Sequence, residues 1–272
     1  MRNRLLFFGV VLAVFGGINY YIGLRGWQWL GAAAPGLALG WVYWVLFAFV
    51  SSAFLVARFA GSALPRPVAD WLARAGSYWL VAFLYLLPLL LVIDLVRAVT
   101  GLSGAALVPV GFALVGGLVV LVAYGAWRAR NVVVVRHEIA VAKPGGKHKE
   151  LHVVLVSDTH LGAINGLPRL QAMVGMVNAL EPDLVLLAGD ICDDDFAPFV
   201  ALDMASGLAK LRAKLGVYSV LGNHEYIAGH IAEYRREMAR AGIRVLVDEA
   251  VLVDDSFYVI GRDDISAGGF GG

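Results

Sequence analysis

The sequence predicts an all-α transmembrane region of four helices over residues 1–130, followed by an α/β domain over residues 131–272. Three observations support this. The chain is 60% hydrophobic and only 16% charged, too apolar for a single water-soluble globule of ordinary composition. All seven tryptophans precede residue 128 while most acidic residues follow residue 150, so one chain meets two solvents. Past residue 130, short apolar runs alternate with stretches of helical periodicity, the pattern of a parallel sheet covered by helices on both faces.

Four stretches, 5–24, 36–56, 78–99 and 105–126, approach the roughly 20 apolar residues that cross a hydrocarbon core about 30 Å thick. Segments such as Arg25-Gly26-Trp27 and Pro65-Arg66-Pro67 separate them, and Trp and Tyr gather near these points as interfacial rings do. Arg2 and Arg4 precede the first span, Arg58, Arg66 and Arg74 lie between the second and third, and Arg128, Arg130 and Arg136 follow the fourth. Basic loops resist translocation, so the expectation is an integral protein of a bacterial-type inner or plasma membrane, with the amino terminus and residues 131–272 in the cytoplasm. A cleaved signal peptide is the rival reading of the first span, disfavoured by its long apolar run and by Pro35 after Ala32–Ala34. Asp94 and Arg97, three apart on one helical face, are expected to pair and snorkel toward the interface near Gly101.

A net charge of +1 offers no concentrated basic face, so nucleic acid is not expected as a partner. The single cysteine, Cys192, excludes an intrachain disulfide.

In the second half, strands are predicted at 132–135, 139–141, 151–156, 184–188, 217–221, 243–247, 250–253 and 257–260, with a turn at Pro144-Gly145-Gly146-Lys147. Helices are predicted at 167–180, 198–213 and 231–241. Three of the strands end in polar clusters: Ser157-Asp158-Thr159-His160, Gly189-Asp190 and Gly222-Asn223-His224-Glu225. Ligands of parallel sheets gather beyond the carboxyl ends of the strands, so these distant clusters would converge on one edge.

Carboxylate, imidazole and amide donors suit divalent ions such as Mn, Fe or Zn. Asp158 and His160 can reach one ion, Asp190 can offer one oxygen to each of two ions about 3.5 to 4 Å apart, and Asn223 can supply a neutral oxygen to the second. Such a pair makes a nucleophile of water at neutral pH and binds phosphoryl oxygens. His224 can protonate the leaving oxygen, and Asp193 can orient its ring. Taken singly, each cluster is as well explained by a loop or a helix cap; three in order, each after an apolar strand, are more specific. His137, His148, His152 and His230 lack such company and are read as surface or structural residues, and Asp194 and Asp195 as a solvated acidic loop.

The blocks Asp158-Thr159-His160, Gly189-Asp190-Ile191-Cys192-Asp193 and Gly222-Asn223-His224-Glu225 resemble those of the calcineurin-like metallophosphoesterase superfamily, over about residues 131–263 and including Gly261-Arg262-Asp263-Asp264. The resemblance implies two packed β-sheets flanked by helices and a dinuclear centre that hydrolyses phosphomonoesters or phosphodiesters; a lipid-linked pyrophosphate is an expectation from the membrane anchoring alone. It places Asp158 and His160 on one metal, Asp190 between the two, Asn223 on the other, and His224 with Asp193 as the leaving-group pair. Where some members carry a phosphate-binding arginine, this chain has Asp194. The family also supplies later histidines, one alone and two in a Gly-His-x-His block, whereas no histidine follows His230. The domain is therefore expected to be incomplete at its C-terminus, with an unpaired sheet edge. The competing expectations are a catalytically inactive membrane scaffold or sensor and, less favoured, a nuclease.

Overall fold

The computed structural model describes residues 2–36, 40–143 and 145–270; residues 37–39 of the second predicted span and Pro144 of the predicted turn lie outside the described residues. The chain divides into two compact units, Met1–His137 and Glu138–Gly272.

The first unit holds four long helices: α1 (Arg2–Ala33), α2 (Gly40–Ala60), α3 (Arg66–Thr100) and α4 (Val108–Arg130). Among the described residues, α2, α3 and α4 are long and apolar enough to cross a membrane, and the predicted span 5–24 lies within α1. Helix α3 starts twelve residues before the predicted span, 66 against 78. Pro67 sits in its first turn, where a missing N–H is tolerated, and Arg66 pairs with Asp70 one turn on at 3.4 Å. It ends as expected at Gly101, in the left-handed conformation with φ of 71°. Helix α4 has no buried residue, and Leu84, Leu95, Val119 and Val120 are all more than 60% exposed. An apolar surface of this kind suits hydrocarbon, not water.

Side chains bind these helices to one another. A Cβ on Gly76 of α3 would come within 2.7 Å of Phe54 Cβ on α2, so glycine sets that close approach. Tyr20 stacks on Trp44, and Trp44, Phe47 and Trp79 continue edge to face. Buried Asn19 accepts a hydrogen bond from Trp79 Nε1 at 3.0 Å. Asp94 does meet Arg97, at 3.3 Å, but its stronger partners come from α1: Arg25 donates from two nitrogens at 2.6 and 2.9 Å, and Tyr21 Oη donates at 2.7 Å.

The second unit contains β1 (Val153–Val156), α5 (Leu167–Ala179), β2 (Leu184–Ala188), α6 (Ala197–Ala201), α7 (Met204–Leu208), β3 (Val217–Val220), α8 (Asn223–Ala228), α9 (Ile231–Arg240), β4 (Arg244–Val245), β5 (Glu249–Val253) and β6 (Phe257–Gly261). Strands β1 to β4 form a parallel sheet in sequence order, and β5 pairs antiparallel with β6. One face of the sheet carries Val154, Val156, Val185, Leu187, Val217 and Val245. These residues pack with Leu170, Val174, Phe199, Leu208, Tyr234 and Met238 of the helices into one core.

Four expectations need correction. Residues 132–135 and 139–141 form no strand and are exposed, because no partner for their backbone exists among the described residues, whatever their β propensity. Helices cover one face of the parallel sheet, not two: the described helices gather on the face of Val154 and Val156, while on the other face Val153 and Leu155 of edge strand β1 are 46% and 66% exposed, Leu184 is 3% exposed and Val220 lies against Gly261 of β6. The single helix predicted at 198–213 is two short helices broken at Asp203, which takes a left-handed φ of 47° and accepts a hydrogen bond from Arg240 Nη2 at 2.6 Å. Strand 243–247 shrinks to Arg244–Val245, after which the chain turns at Asp248, φ 49°, into β5.

Phe199 is fully buried, with Phe196 at 5.4 Å and Tyr234 at 6.1 Å between ring centroids. Phe199→Ala is expected to cost about 3–5 kcal/mol, read from urea unfolding followed by far-ultraviolet circular dichroism. Asp183 accepts hydrogen bonds from Lys214 Nζ at 2.8 Å and from the His152 amide at 3.0 Å, and these hold its carboxyl below the usual range. A depressed folded pKa stabilises above the unfolded value, about 4, and the contribution is lost as pH falls through the folded value. Asp183→Asn should therefore flatten the acid limb of the stability profile below about pH 4 and leave the slope near neutrality unchanged.

Candidate metal centre

The three polar clusters do lie together at the carboxyl ends of β1, β2 and β3. Adjacent parallel strands in register bring successive loops side by side, and tight turns then fold each loop back over the sheet edge. Asp158, His160 and Asp190 take left-handed φ values of 54°, 43° and 53°, conformations that cost non-glycine residues on the order of 1–3 kcal/mol each. Hydrogen bonds hold them. The Asp158 amide donates to Gly189 O at 3.3 Å, the His160 amide to Asp190 O at 3.0 Å and the Leu161 amide to Ile191 O at 2.8 Å. Thr159 Oγ1 adds a bond to Ile191 O at 2.9 Å.

The third loop reaches the second through Asp190, whose Oδ1 accepts the His224 amide at 2.9 Å. A Cβ on Gly222 would stand 2.6 Å from the Asp190 nitrogen, so this approach requires glycine. Asn223 opens α8 between these two contacts and is exposed.

His160, Asp190 and His224 each present one ligand atom, all within 4.8 Å of one another. The two imidazole rings meet edge to face, their centroids 4.3 Å apart. Asp158 is more exposed, 68% for its side chain, and its Oδ1 lies 4.0 Å from His160 Nε2. Asp193 Oδ1 stands 3.5 Å from His224 Nδ1 and 3.9 Å from His160 Nδ1. Burial pushes the Asp193 carboxyl above its ordinary range, offset in part by the Asp194 amide and the neighbouring imidazoles. Of the predicted residues, His160, Asp190 and His224 are brought within reach of one another, Asp193 lies beside the two histidines, Asp158 is more exposed, and Asn223 is exposed at the start of α8.

This donor set fits a divalent ion. It consists of imidazole nitrogen and carboxylate oxygen, with no thiolate on offer, since Cys192 is buried and its thiol is pushed well above the usual range by desolvation and the Glu225 charge. His224 Nδ1 makes no hydrogen bond of ordinary geometry, and the Asp193 carboxylate stands 3.5 Å from it.

Glu225 is not among the predicted site residues. Its side chain is 1% exposed; Oε2 accepts the amides of Gly222 at 2.7 Å and Asp190 at 3.0 Å, and Oε1 those of Ile191 at 2.8 Å and Cys192 at 3.0 Å. The spacing Gly222-x-x-Glu225 is a capping-box pattern that predicts the first of these bonds; the other three cross 33 to 35 residues and leave no local signal. Tyr226, next along α8, donates to Asp263 Oδ1 at 2.6 Å, and with burial this pushes its phenol up to about 12.

Comparison with known proteins agrees with the geometry. The description calcineurin-like phosphoesterase matches residues 151–269. A transmembrane protein with metallophosphoesterase domain from Bos taurus is 33% identical over 139 residues, covering 48% of this chain and 31% of the relative. The protein of the same name from Danio rerio is 33% identical over 49% of this chain and 32% of its own length. An uncharacterized metallophosphoesterase of Aquifex aeolicus is 33% identical over 43% of this chain and 44% of its own. The matched part thus spans about a third to under half of these relatives. No solved structure matches the chain. With three strand-end loops carrying the motif residues into one cluster, residues 151–269 are a calcineurin-like phosphoesterase domain.

Proposed function

We propose that the chain is a metal-dependent phosphoesterase held to a membrane by its N-terminal helices, with its site at the ends of β1, β2 and β3. The observation that supports this most is the mutual approach of His160, Asp190 and His224 within 4.8 Å, on loops 30 to 64 residues apart that no local structure would bring together. In this reading Asp158, His160, Asp190 and Asn223 would together hold two divalent ions. The ions, of the Mn, Fe or Zn class, supply charge stabilisation to phosphoryl oxygens and an acidified water. Asp193 Oδ1, 3.5 Å from His224 Nδ1, orients the ring, and Nε2 is then the nitrogen that would deliver a proton to the leaving oxygen. The substrate class is a phosphomonoester, a phosphodiester or a lipid-linked pyrophosphate. The lipid-linked class suits a domain tethered beside spans that keep it near the bilayer. In this reading residues 131–272 face the cytoplasm, which the arginines on the loops expected to share their side support.

Hydrolysis of a chromogenic phosphodiester with added Mn²⁺ tests the chemistry. Asp190→Ala should lower the rate by more than about 100-fold, beyond the usual cost of altering an outer partner of a metal ligand. Equal rates for folded wild type and variant would instead support an inactive scaffold. For orientation, trypsin added outside sealed right-side-out vesicles should leave residues 131–272 intact; their digestion would contradict the cytoplasmic placement.

A further inference from the structure

A carboxylate moved from water into a protein interior needs compensation. Glu225 is 1% exposed, and its hydrogen-bond partners include no cation: both oxygens are filled by backbone N–H groups, two each, at 2.7–3.0 Å. If its purpose were to cap the six-residue helix α8, the Gly222 amide alone would serve. The other three donors belong to the loop that carries Asp190, and they are consecutive.

Each of those three peptide units is hydrogen-bonded at both ends. The unit joining Gly189 to Asp190 gives its N–H to Glu225 and its carbonyl to the Asp158 amide. The next gives its N–H to Glu225 and its carbonyl to the His160 amide. The third gives its N–H to Glu225 and its carbonyl to the Leu161 amide and Thr159 Oγ1. Peptide groups bonded at both ends polarise one another and strengthen both bonds. One carboxylate on the third loop therefore grips the second and, through its peptide units, the backbone at Asp158 and His160 on the first.

We propose that Glu225 is the positioning residue of the metal centre: it touches neither metal nor substrate, and it fixes the relative placement of the three ligand-bearing loops. This rests on the metal-site reading above. The left-handed conformations at Asp158, His160 and Asp190 are those a loop abandons when it is not held, so loss of the carboxylate lets the ligands part.

Glu225→Gln is close to isosteric, yet whichever oxygen becomes an amide group then faces two N–H donors. In the full chain in detergent micelles, Mn²⁺ titration followed by electron paramagnetic resonance should show affinity lowered about 10–100-fold, the range for loss of an outer partner of metal ligands. Amide exchange should show protection lost at Asp190, Ile191 and Cys192 and kept at Val185 and Leu187 of β2. Val177→Ala, in the last turn of α5 where the chain leads into the start of β2 and so at the opposite end of the strands from the loops, should leave Mn²⁺ affinity unchanged and so separates positioning from general destabilisation. If Glu225→Gln does not fold, Glu225→Asp, shorter by one methylene, should give a smaller loss of affinity. Wild-type Mn²⁺ affinity in either folded glutamate variant would overturn the proposal. If the wild type itself takes up no Mn²⁺, the metal reading fails separately, and unchanged amide protection in Glu225→Gln would overturn the positioning role as well.

Discussion

The Glu225 carboxylate lies out of water, compensated by four backbone N–H groups, and this couples the site to the fold. An ion paired with arginine could tolerate small shifts of the long side chain. A carboxylate that depends on four amides of two loops cannot, because parting the loops would leave a buried charge without partners. The same bonds therefore hold the buried charge and draw the loops together. The strained backbone at Asp158, His160 and Asp190 follows: it persists because the surroundings over-determine it.

The sheet makes this arrangement possible. In-register parallel pairing of β1 with β2 and of β2 with β3 delivers three chain reversals to one edge at strand spacing, and only loops so placed can exchange bonds through consecutive peptide units. Glycine sets the closeness of fit at Gly222, where any side chain would collide with Asp190. In the membrane unit, Asp94, Arg25 and Tyr21 instead satisfy one another, because hydrocarbon offers no alternative partner.

What could be read from the sequence was what period and punctuation encode. The apolar runs at 151–156, 184–188 and 217–221 became β1, β2 and β3, and their terminal motifs met as the spacing implied. What escaped was set by partners distant in sequence. Asp94 has Arg97 at a legible helical spacing, but its better partner, Arg25, comes from another helix across 69 residues. Glu225 shows a local capping pattern, while three of its four bonds arise only once β2 and β3 are paired. Residues 132–135 have strand composition without a described neighbour to pair with, and composition alone does not supply one. The break at Asp203 depends on Arg240 in a later helix.

The proposed function requires the loops after β1, β2 and β3 to bind one shared metal centre through imidazole and carboxylate. Electron spin echo envelope modulation of the Mn²⁺-loaded full chain reads the ligands directly. Modulation from imidazole nitrogen that disappears in His160→Ala is the predicted result; Mn²⁺ that shows only water coordination in the wild type would contradict it.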